Sequence, residues 1–339
     1  MIVGARVRKV SVYVLFLMLG LGLFAWALSR GGRSLEQLWG DLWAVPLGGL
    51  LLSMVMGYLA MVSRGMRWRL MLEPLGYQTR RWHSIHAVTF AYLANTFVPR
   101  SGELARCAAL NQTDQIPVNV LFGTVVSERV IDLFVLALFL GVAVLGNSAA
   151  FAVLAESMVV PGSLPWLLAA GVLGLATLVL GYTLRNRWMG HPLWARLVGF
   201  LEGVKDGLLS VGRMRRKWAY FGHTAFIWGM YYGMAQVIFA VMPQTAGLHP
   251  VEGLFIMVAG GLGMVLPAPG GIGAYQWAIM LAFSALGRMQ ETGFLVANVM
   301  WLSQTLMMVV TGILAYFMLI RFRLRSSASQ IADHGPSGS

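Results

Sequence analysis

Long apolar runs dominate this chain and restrict it to a membrane fold. A hydrocarbon core about 30 Å thick is crossed by a helix of ~20 apolar residues. Six runs reach that length, at 10–29, 43–63, 118–146, 164–184, 218–242 and 293–320. Only 11% of the residues are charged, against about 25% in soluble domains. The sequence therefore predicts an all-α integral membrane protein with six full spans.

Two further apolar stretches are too short or too broken to cross the membrane. The first, 83–98, is about 24 Å long at ~1.5 Å per residue and ends before a proline. The second, 251–286, is interrupted by the segment 267–273, whose prolines and glycines break a helix. We expect two re-entrant helical hairpins, with turns at Pro99 and Gly102 in the first and at Pro267, Pro269, Gly270, Gly271 and Gly273 in the second.

The placement of lysine and arginine orients the predicted spans. Short loops rich in these residues stay in the cytoplasm. If each hairpin enters and leaves on one side, the basic segments 64–81, 185–217 and 321–325 all lie inside, against Arg30, Arg33 and Arg288 outside. This predicts a multi-pass protein of the cytoplasmic membrane with both termini cytoplasmic. The net charge of +12 then reflects topology, and we expect no nucleic-acid partner.

The predicted elements form two halves of opposite orientation, about 10–146 and 164–320, each with one hairpin. Inverted halves with broken helices are the plan of many secondary transporters, whose sites lie where the helices break. We expect one polytopic domain over 1–320, including a cytoplasmic amphipathic segment at 193–213, and a short disordered tail over 321–339. The basic N-terminus also fits a cleaved signal peptide, but the first half needs its first span, so we expect 1–27 to be retained.

The turn of the first predicted hairpin places charged side chains toward the membrane interior. Ser101 is predicted to cap the exiting helix, whose N-terminus would lie beside Arg100 and Arg106 and favour an anion such as a lipid phosphate. The alternative is a surface turn in which Glu103 complements the helix dipole and pairs with Arg106 at i, i+3.

Three ionisable residues, Glu128, Arg129 and Asp132, interrupt the apolar run 118–146. Each costs roughly 2.5–3.5 kcal/mol at the centre of a span on insertion scales, so they should face the protein interior. Arg129 would reach Asp132 at i, i+3, and Arg100 or Arg106 would meet the carboxylates. The alternative role is an ion-paired clamp between this span and the first hairpin. We see no metal-ligand spacing and no catalytic motif, and expect no metal, cofactor or catalytic residue.

Three motifs together resemble the flippase-like family of the lysylphosphatidylglycerol synthase transmembrane region. They are Asn95-x-x-x-Pro99-x-x-Gly102-Glu103, Glu128-Arg129-x-x-Asp132 and Pro267-x-Pro269-Gly270-Gly271-x-Gly273. The resemblance covers about 64–321 and implies an inner-membrane protein that handles phospholipid or polyprenyl-linked lipid. The soluble synthase domain of some relatives should be absent. Gln276 stands where many relatives have a glutamate, so proton coupling there is in doubt.

These observations predict a lipid transporter or flippase, not an enzyme, that acts on an anionic headgroup. The predicted substrate-binding residues are Asn95, Arg100, Glu103, Arg106, Glu128, Arg129, Asp132 and Gln276. One alternative is a membrane-embedded enzyme of lipid or polyprenyl-phosphate glycosyl transfer, and another is a subunit that recruits a partner through 185–217. Membrane lipids are the expected partners, and the sequence is compatible with a homo-oligomer.

Overall fold

The computed structural model describes residues 2–30, 34–158, 214–266 and 268–333, and these residues are helical with short connections. The described helices are α1 (Ile2–Arg30), α2 (Leu35–Ala44), α3 (Leu47–Leu72), α4 (Arg81–Phe97), α5 (Gly102–Asp114), α6 (Val118–Gly146), α7 (Ser148–Met158), α8 (Lys217–Val241), α9 (Pro250–Gly263), α10 (Ala274–Ala285) and α11 (Gln290–Asp333). The all-α prediction is confirmed for this part of the chain.

Four of the described segments are long and apolar enough to cross a membrane. They are α3 with its 3-10 extension to Leu75, α6, α8, and α11 as far as Leu324. They correspond to the predicted spans 43–63, 118–146, 218–242 and 293–320. The predicted span 10–29 lies within α1, whose apolar helical part is Leu17–Arg30. The predicted span 164–184 and the amphipathic segment 193–213 lie outside the described residues.

Helix α3 extends well beyond the predicted span, which ended at residue 63. No proline interrupts it before Pro74, and it continues through Arg64 and Arg67, which are both buried. We expected these arginines in a cytoplasmic loop, and that expectation was wrong. The physical reason is that acidic side chains from α6 compensate their charges inside the protein.

Two pairs of short helices form at the predicted hairpins. Helices α4 and α5 pack against each other across a turn at 98–101, and α9 and α10 do so across 264–273. The four helices have 17, 13, 14 and 12 residues, each fewer than the ~20 that span a bilayer. The helix breaks lie at Pro99 and Pro269, where turns are predicted, whereas Pro267 lies outside the described residues.

Both turns depend on glycine. An added Cβ at Gly102 would meet the carbonyl oxygen of Ala91, so its absence lets α5 pack directly on α4. In the second turn Gly270, Gly271 and Gly273 have φ values of 56°, 74° and 79°, a left-handed region that favours glycine. The predicted turn glycines are therefore required by close packing in one hairpin and by backbone conformation in the other.

Asn95, and not Ser101, satisfies the first backbone donor of α5. The Asn95 Oδ1 accepts a hydrogen bond from the Gly102 N–H at 2.7 Å. Ser101 has φ −77° and ψ −18°, and its hydroxyl donates to the carbonyl of Val98 at 2.8 Å. The prediction that Ser101 caps the helix was wrong because a capping side chain needs an extended backbone at that position.

The turns of the two hairpins contact each other. The guanidinium Nη2 of Arg100 donates to the Val265 carbonyl at 2.9 Å, and Gly270 lies beside Thr96 at the end of α4. Helix α11 packs on both α4 and α10, and the Trp301 Nε1 donates to the Gly270 carbonyl at 2.7 Å. Helix α3 packs on α8, so the described parts of the two predicted halves are joined at these places.

The last helix continues into the segment that we expected to be disordered. Helix α11 ends at Asp333, so residues 321–333 are helical. The sequence over these residues contains neither glycine nor proline, and extending an existing helix avoids the cost of nucleation.

Candidate functional site

Three helices bring five charged side chains together in the protein interior. Arg64 and Arg67 come from α3, Arg106 from α5, and Glu128 and Asp132 from α6, and all five are buried. We call these residues the buried ion cluster. Arginine and carboxylate side chains tolerate such burial only when they neutralise and hydrogen-bond one another.

Arg67 lies at the centre of the buried ion cluster and is completely inaccessible to solvent. Its Nη1 donates to Asp132 Oδ1 at 2.8 Å, and its Nη2 donates to Glu128 Oε1 at 2.9 Å. The Nη1 also donates to the Thr224 hydroxyl of α8 at 3.1 Å, and the guanidinium lies 5.5 Å from the centre of the Tyr220 ring. This arginine therefore ties α3 to both α6 and α8.

Glu128 ties the same cluster to the first hairpin. Its Oε2 accepts a hydrogen bond from Arg106 Nη1 at 2.8 Å, while its Oε1 accepts from Arg67. The Arg106 guanidinium also stacks 4.9 Å from the centre of the Trp68 ring, which is favourable for a cation on an aromatic face. This contact confirms the expectation that Arg106 meets a carboxylate of α6.

Arg64 connects the buried ion cluster to the second half. Its Nη2 donates to Asp132 Oδ2 at 2.8 Å and its Nη1 to the Tyr92 hydroxyl at 2.9 Å. The Tyr92 hydroxyl lies 3.1 Å from that of Tyr231 on α8. A polar connection therefore runs from α6 through α3 and α4 to α8.

A cavity of about 660 Å³ lies between the described parts of the two halves. Helices α3 to α6 and α8 to α11 and both hairpin turns contribute to its wall. Polar side chains at the wall include those of Arg64, Tyr92, Asn95, Arg100, Glu103, Arg129, Asp132 and Gln304. Seven methionines supply flexible apolar surface, namely Met61, Met234, Met257, Met264, Met300, Met307 and Met308.

Two arginines at this cavity lie outside the buried ion cluster. Arg129 Nη2 donates to Glu103 Oε1 at 2.7 Å, and 45% of its side chain is exposed. Arg100 is also exposed, and it forms no ion pair with a carboxylate of the described residues. The residues that line the cavity thus include three arginines, Arg64, Arg100 and Arg129, against the two carboxylates of Glu103 and Asp132, an excess of positive charge.

The structure divides the predicted site residues into three groups. Those that line the cavity are Asn95, Arg100, Glu103, Arg129 and Asp132. Arg106 and Glu128 lie behind its wall in the buried ion cluster. Gln276 is completely buried in the first turn of α10, where its Oε1 accepts from the Gly273 N–H at 2.8 Å.

Two predicted pairings were wrong. Arg129 reaches Glu103 instead of Asp132, and Arg106 reaches Glu128 instead of Glu103. Asp132 is unavailable to Arg129 because both of its oxygens accept from Arg64 and Arg67. In both cases the predicted partner lies three residues away on the same helix, whereas the observed partner lies on a neighbouring helix.

Sequence reasoning missed Arg64 and Arg67 as site residues, together with Tyr92, Thr224 and Tyr231. A signal for the arginines was present, since their i, i+3 spacing places them on one face of a helix that no proline ends. The tyrosines and the threonine gave no comparable signal, because isolated hydroxyl residues are common in apolar helices.

The family model for the lysylphosphatidylglycerol synthase TM region matches residues 12–320. A separate match of 271 residues is 26% identical to Glycosyltransferase AglD of Haloferax volcanii and covers 70% of this chain. It covers 43% of that relative, so the chain spans less than half of the relative's length. The family match supports a multi-pass membrane protein with a lipid-related role. The chain belongs to the family of the lysylphosphatidylglycerol synthase transmembrane region.

Proposed function

We propose that this protein moves an anionic phospholipid or a polyprenyl-phosphate-linked lipid between the leaflets of the cytoplasmic membrane. The observation that carries the proposal is the cavity between the halves, which combines exposed arginines with a methionine-rich wall. An anionic headgroup would accept charge-assisted hydrogen bonds from Arg100 and Arg129. The adjoining acyl or prenyl chain would lie along the methionines.

The contact between the hairpin turns supports a gating role for them. The guanidinium of Arg100 donates to the Val265 carbonyl, so the two turns are in contact where they line the cavity. Separation of the turns would open a path for the headgroup, as alternating access at broken helices requires. Each hairpin would then expose the cavity to one leaflet.

We propose that the buried ion cluster forms a rigid frame against which the hairpin turns move. Both oxygens of Glu128 and of Asp132 accept hydrogen bonds from arginines, and removing either partner would leave a buried charge uncompensated. We assign these two carboxylates to the frame. Glu103, which faces the cavity with 26% of its side chain exposed, is the proposed site of any proton coupling.

Transport can be tested with purified protein in liposomes. Fluorescent phosphatidylglycerol in the outer leaflet should become inaccessible to a membrane-impermeant quencher faster than in empty vesicles. Arg129→Gln should reduce this rate at least tenfold. Arg288→Gln is the matched control, because Arg288 forms a similar 2.9 Å pair with Glu252 away from the cavity. Rates equal to empty vesicles for all anionic lipids tested would contradict the proposal.

The similarity to a glycosyltransferase favours a second candidate function. In this alternative the protein is a membrane-embedded enzyme of lipid or polyprenyl-phosphate glycosyl transfer, with Glu103 acting as a base at the cavity. Metal-dependent consumption of a sugar donor by the purified protein would support it. The arginine partners of Glu128 and Asp132 leave these carboxylates poorly placed to act as bases or metal ligands, so transport remains our leading proposal.

A further inference from the structure

The ion pair between Glu103 and Arg129 differs from those of the buried ion cluster. Its side chains are 26% and 45% exposed, whereas the charged side chains of the cluster are at most 10% exposed. An exposed pair is weak and opens at little cost. A buried pair cannot be opened without leaving a charge in a medium that does not solvate it. Around the cavity, the Glu103–Arg129 pair is therefore the ion pair in which the arginine can release its carboxylate and bind another anion.

Glu103 occupies a position that an anion prefers. It belongs to the first turn of α5, where the helix dipole favours negative charge, and its carboxylate accepts from Arg129 at 2.7 Å. Arg100 lines the same cavity and pairs with no carboxylate in the described ranges. The Nη2 of Arg100 donates to the Val265 carbonyl, and the other guanidinium nitrogens remain to donate to a further acceptor.

The cavity also contains polar groups that lack a partner in the described part of the chain. Trp228 and Thr305 both line it, and the Trp228 Nε1 and Thr305 Oγ1 atoms are buried without a hydrogen-bond partner. Such groups are rare unless a ligand or ordered water satisfies them. They indicate that the cavity is built to hold a molecule with hydrogen-bond acceptors.

We propose that Arg129 and Arg100 form a binding site for a phosphate-ester anion, and that Glu103 occupies Arg129 until that anion displaces it. The phosphate oxygens accept from both guanidiniums, and the released Glu103 carboxylate is hydrated at the cavity wall. This inference rests on the proposed function and specifies the chemistry that its substrate headgroup must carry. The neighbouring methionine wall favours a phosphate ester that bears an apolar chain.

Binding can be measured separately from transport by calorimetric titration of the detergent-purified protein. The probes are water-soluble dihexanoylphosphatidylglycerol and inorganic phosphate. Because Glu103 competes with the ligand, Glu103→Gln should bind the lipid probe about two- to fivefold more tightly, the factor expected for losing an exposed ion pair. Arg129→Gln should bind it about tenfold more weakly, as expected for the loss of a charge-assisted hydrogen bond. The double variant should match Arg129→Gln.

Glu252→Gln provides the charge control, because it removes the same negative charge at the pair with Arg288 away from the cavity. Glu103→Ala tests the same competition with a different side chain. Tightening for both probes would show recognition of phosphate alone, whereas tightening for the lipid probe alone would identify a lipid headgroup, and either supports the site. Unchanged or weaker binding by both Glu103 variants, or equal tightening by Glu252→Gln, would overturn it. Binding without lipid movement would contradict the proposed function and leave the site standing.

Discussion

Arg67 shows how a single charged residue becomes part of a membrane protein's interior. Its two terminal nitrogens donate to Glu128, Asp132 and Thr224, and the aromatic face of Tyr220 lies against it. An isolated charge in this position would be too costly to bury, so its stability depends on partners from other helices. An arginine in a solvated loop needs no such partners. The sequence alone does not show the partners of Arg67, and it therefore suggested a loop.

The first prediction concerns the loss of this central charge. Arg67→Ala leaves Glu128 and Asp132 without a main partner and should destabilise the protein by about 3–5 kcal/mol, the usual effect of breaking a buried ion pair. Reversible unfolding in mixed micelles measures the change. Arg69→Ala is the control, because Arg69 donates to a single backbone carbonyl, that of Thr79. Equal destabilisation by the two substitutions would contradict the central role of Arg67.

At the scale of elements, sequence predicted the helix breaks better than the helix ends. Pro99 and the glycine-rich turn after Pro269 act locally, because proline and glycine limit a helix whatever surrounds them. The burial of Arg64 and Arg67 within α3 depends on carboxylates from α6, and the Asn95 cap depends on α4 and α5 lying side by side. Such tertiary contacts have no local sequence signal.

The second prediction concerns the packing of the first hairpin. A Cβ at Gly102 would meet the Ala91 carbonyl and the Asn95 side chain, so Gly102→Ala should push α5 from α4 and destabilise the protein by about 1–3 kcal/mol. Gly141→Ala in α6 is the matched control, since its Cβ would meet nothing within 4 Å. That substitution should be neutral or should stabilise by up to ~1 kcal/mol through helix propensity. Unfolding midpoints in detergent compare the two, and a milder effect at Gly102 would refute the packing argument.

At the scale of the whole molecule, the two predicted halves meet at a cavity whose polar wall comes mainly from the first. Sequence predicted two inverted halves, which stays a prediction, and it named five of the residues that line the cavity, Asn95, Arg100, Glu103, Arg129 and Asp132. It did not indicate the contribution of α8 and α11, because their cavity residues are uncharged side chains, mostly methionine and aromatic residues, in ordinary apolar helices. Their position depends on how the helices assemble.

The third prediction concerns orientation in the membrane. Lysine and arginine distribution places both termini in the cytoplasm, so the α3–α4 connection should lie inside and the α8–α9 connection outside. Gln78→Cys and Ala246→Cys mark these two exposed connections, and replacement of buried Cys107 by serine removes the native thiol. An impermeant maleimide added to intact cells should label position 246 and should label position 78 only after permeabilisation. The reverse pattern would contradict the topology.

The central claim is that the hairpin turns must separate for lipid to pass. Gly270 and Thr96 lie close enough for a disulfide, since a Cβ at Gly270 would be 3.8 Å from Thr96 Cγ2. Thr96→Cys with Gly270→Cys should crosslink on oxidation, although a side chain at the left-handed Gly270 costs about 1–2 kcal/mol. Thr96→Cys with Gly270→Ala is the control, because it carries the same backbone strain without the second thiol. In liposomes the oxidised close pair should move labelled phosphatidylglycerol no faster than empty vesicles, and reduction should restore transport. Undiminished transport by fully crosslinked protein would contradict the account.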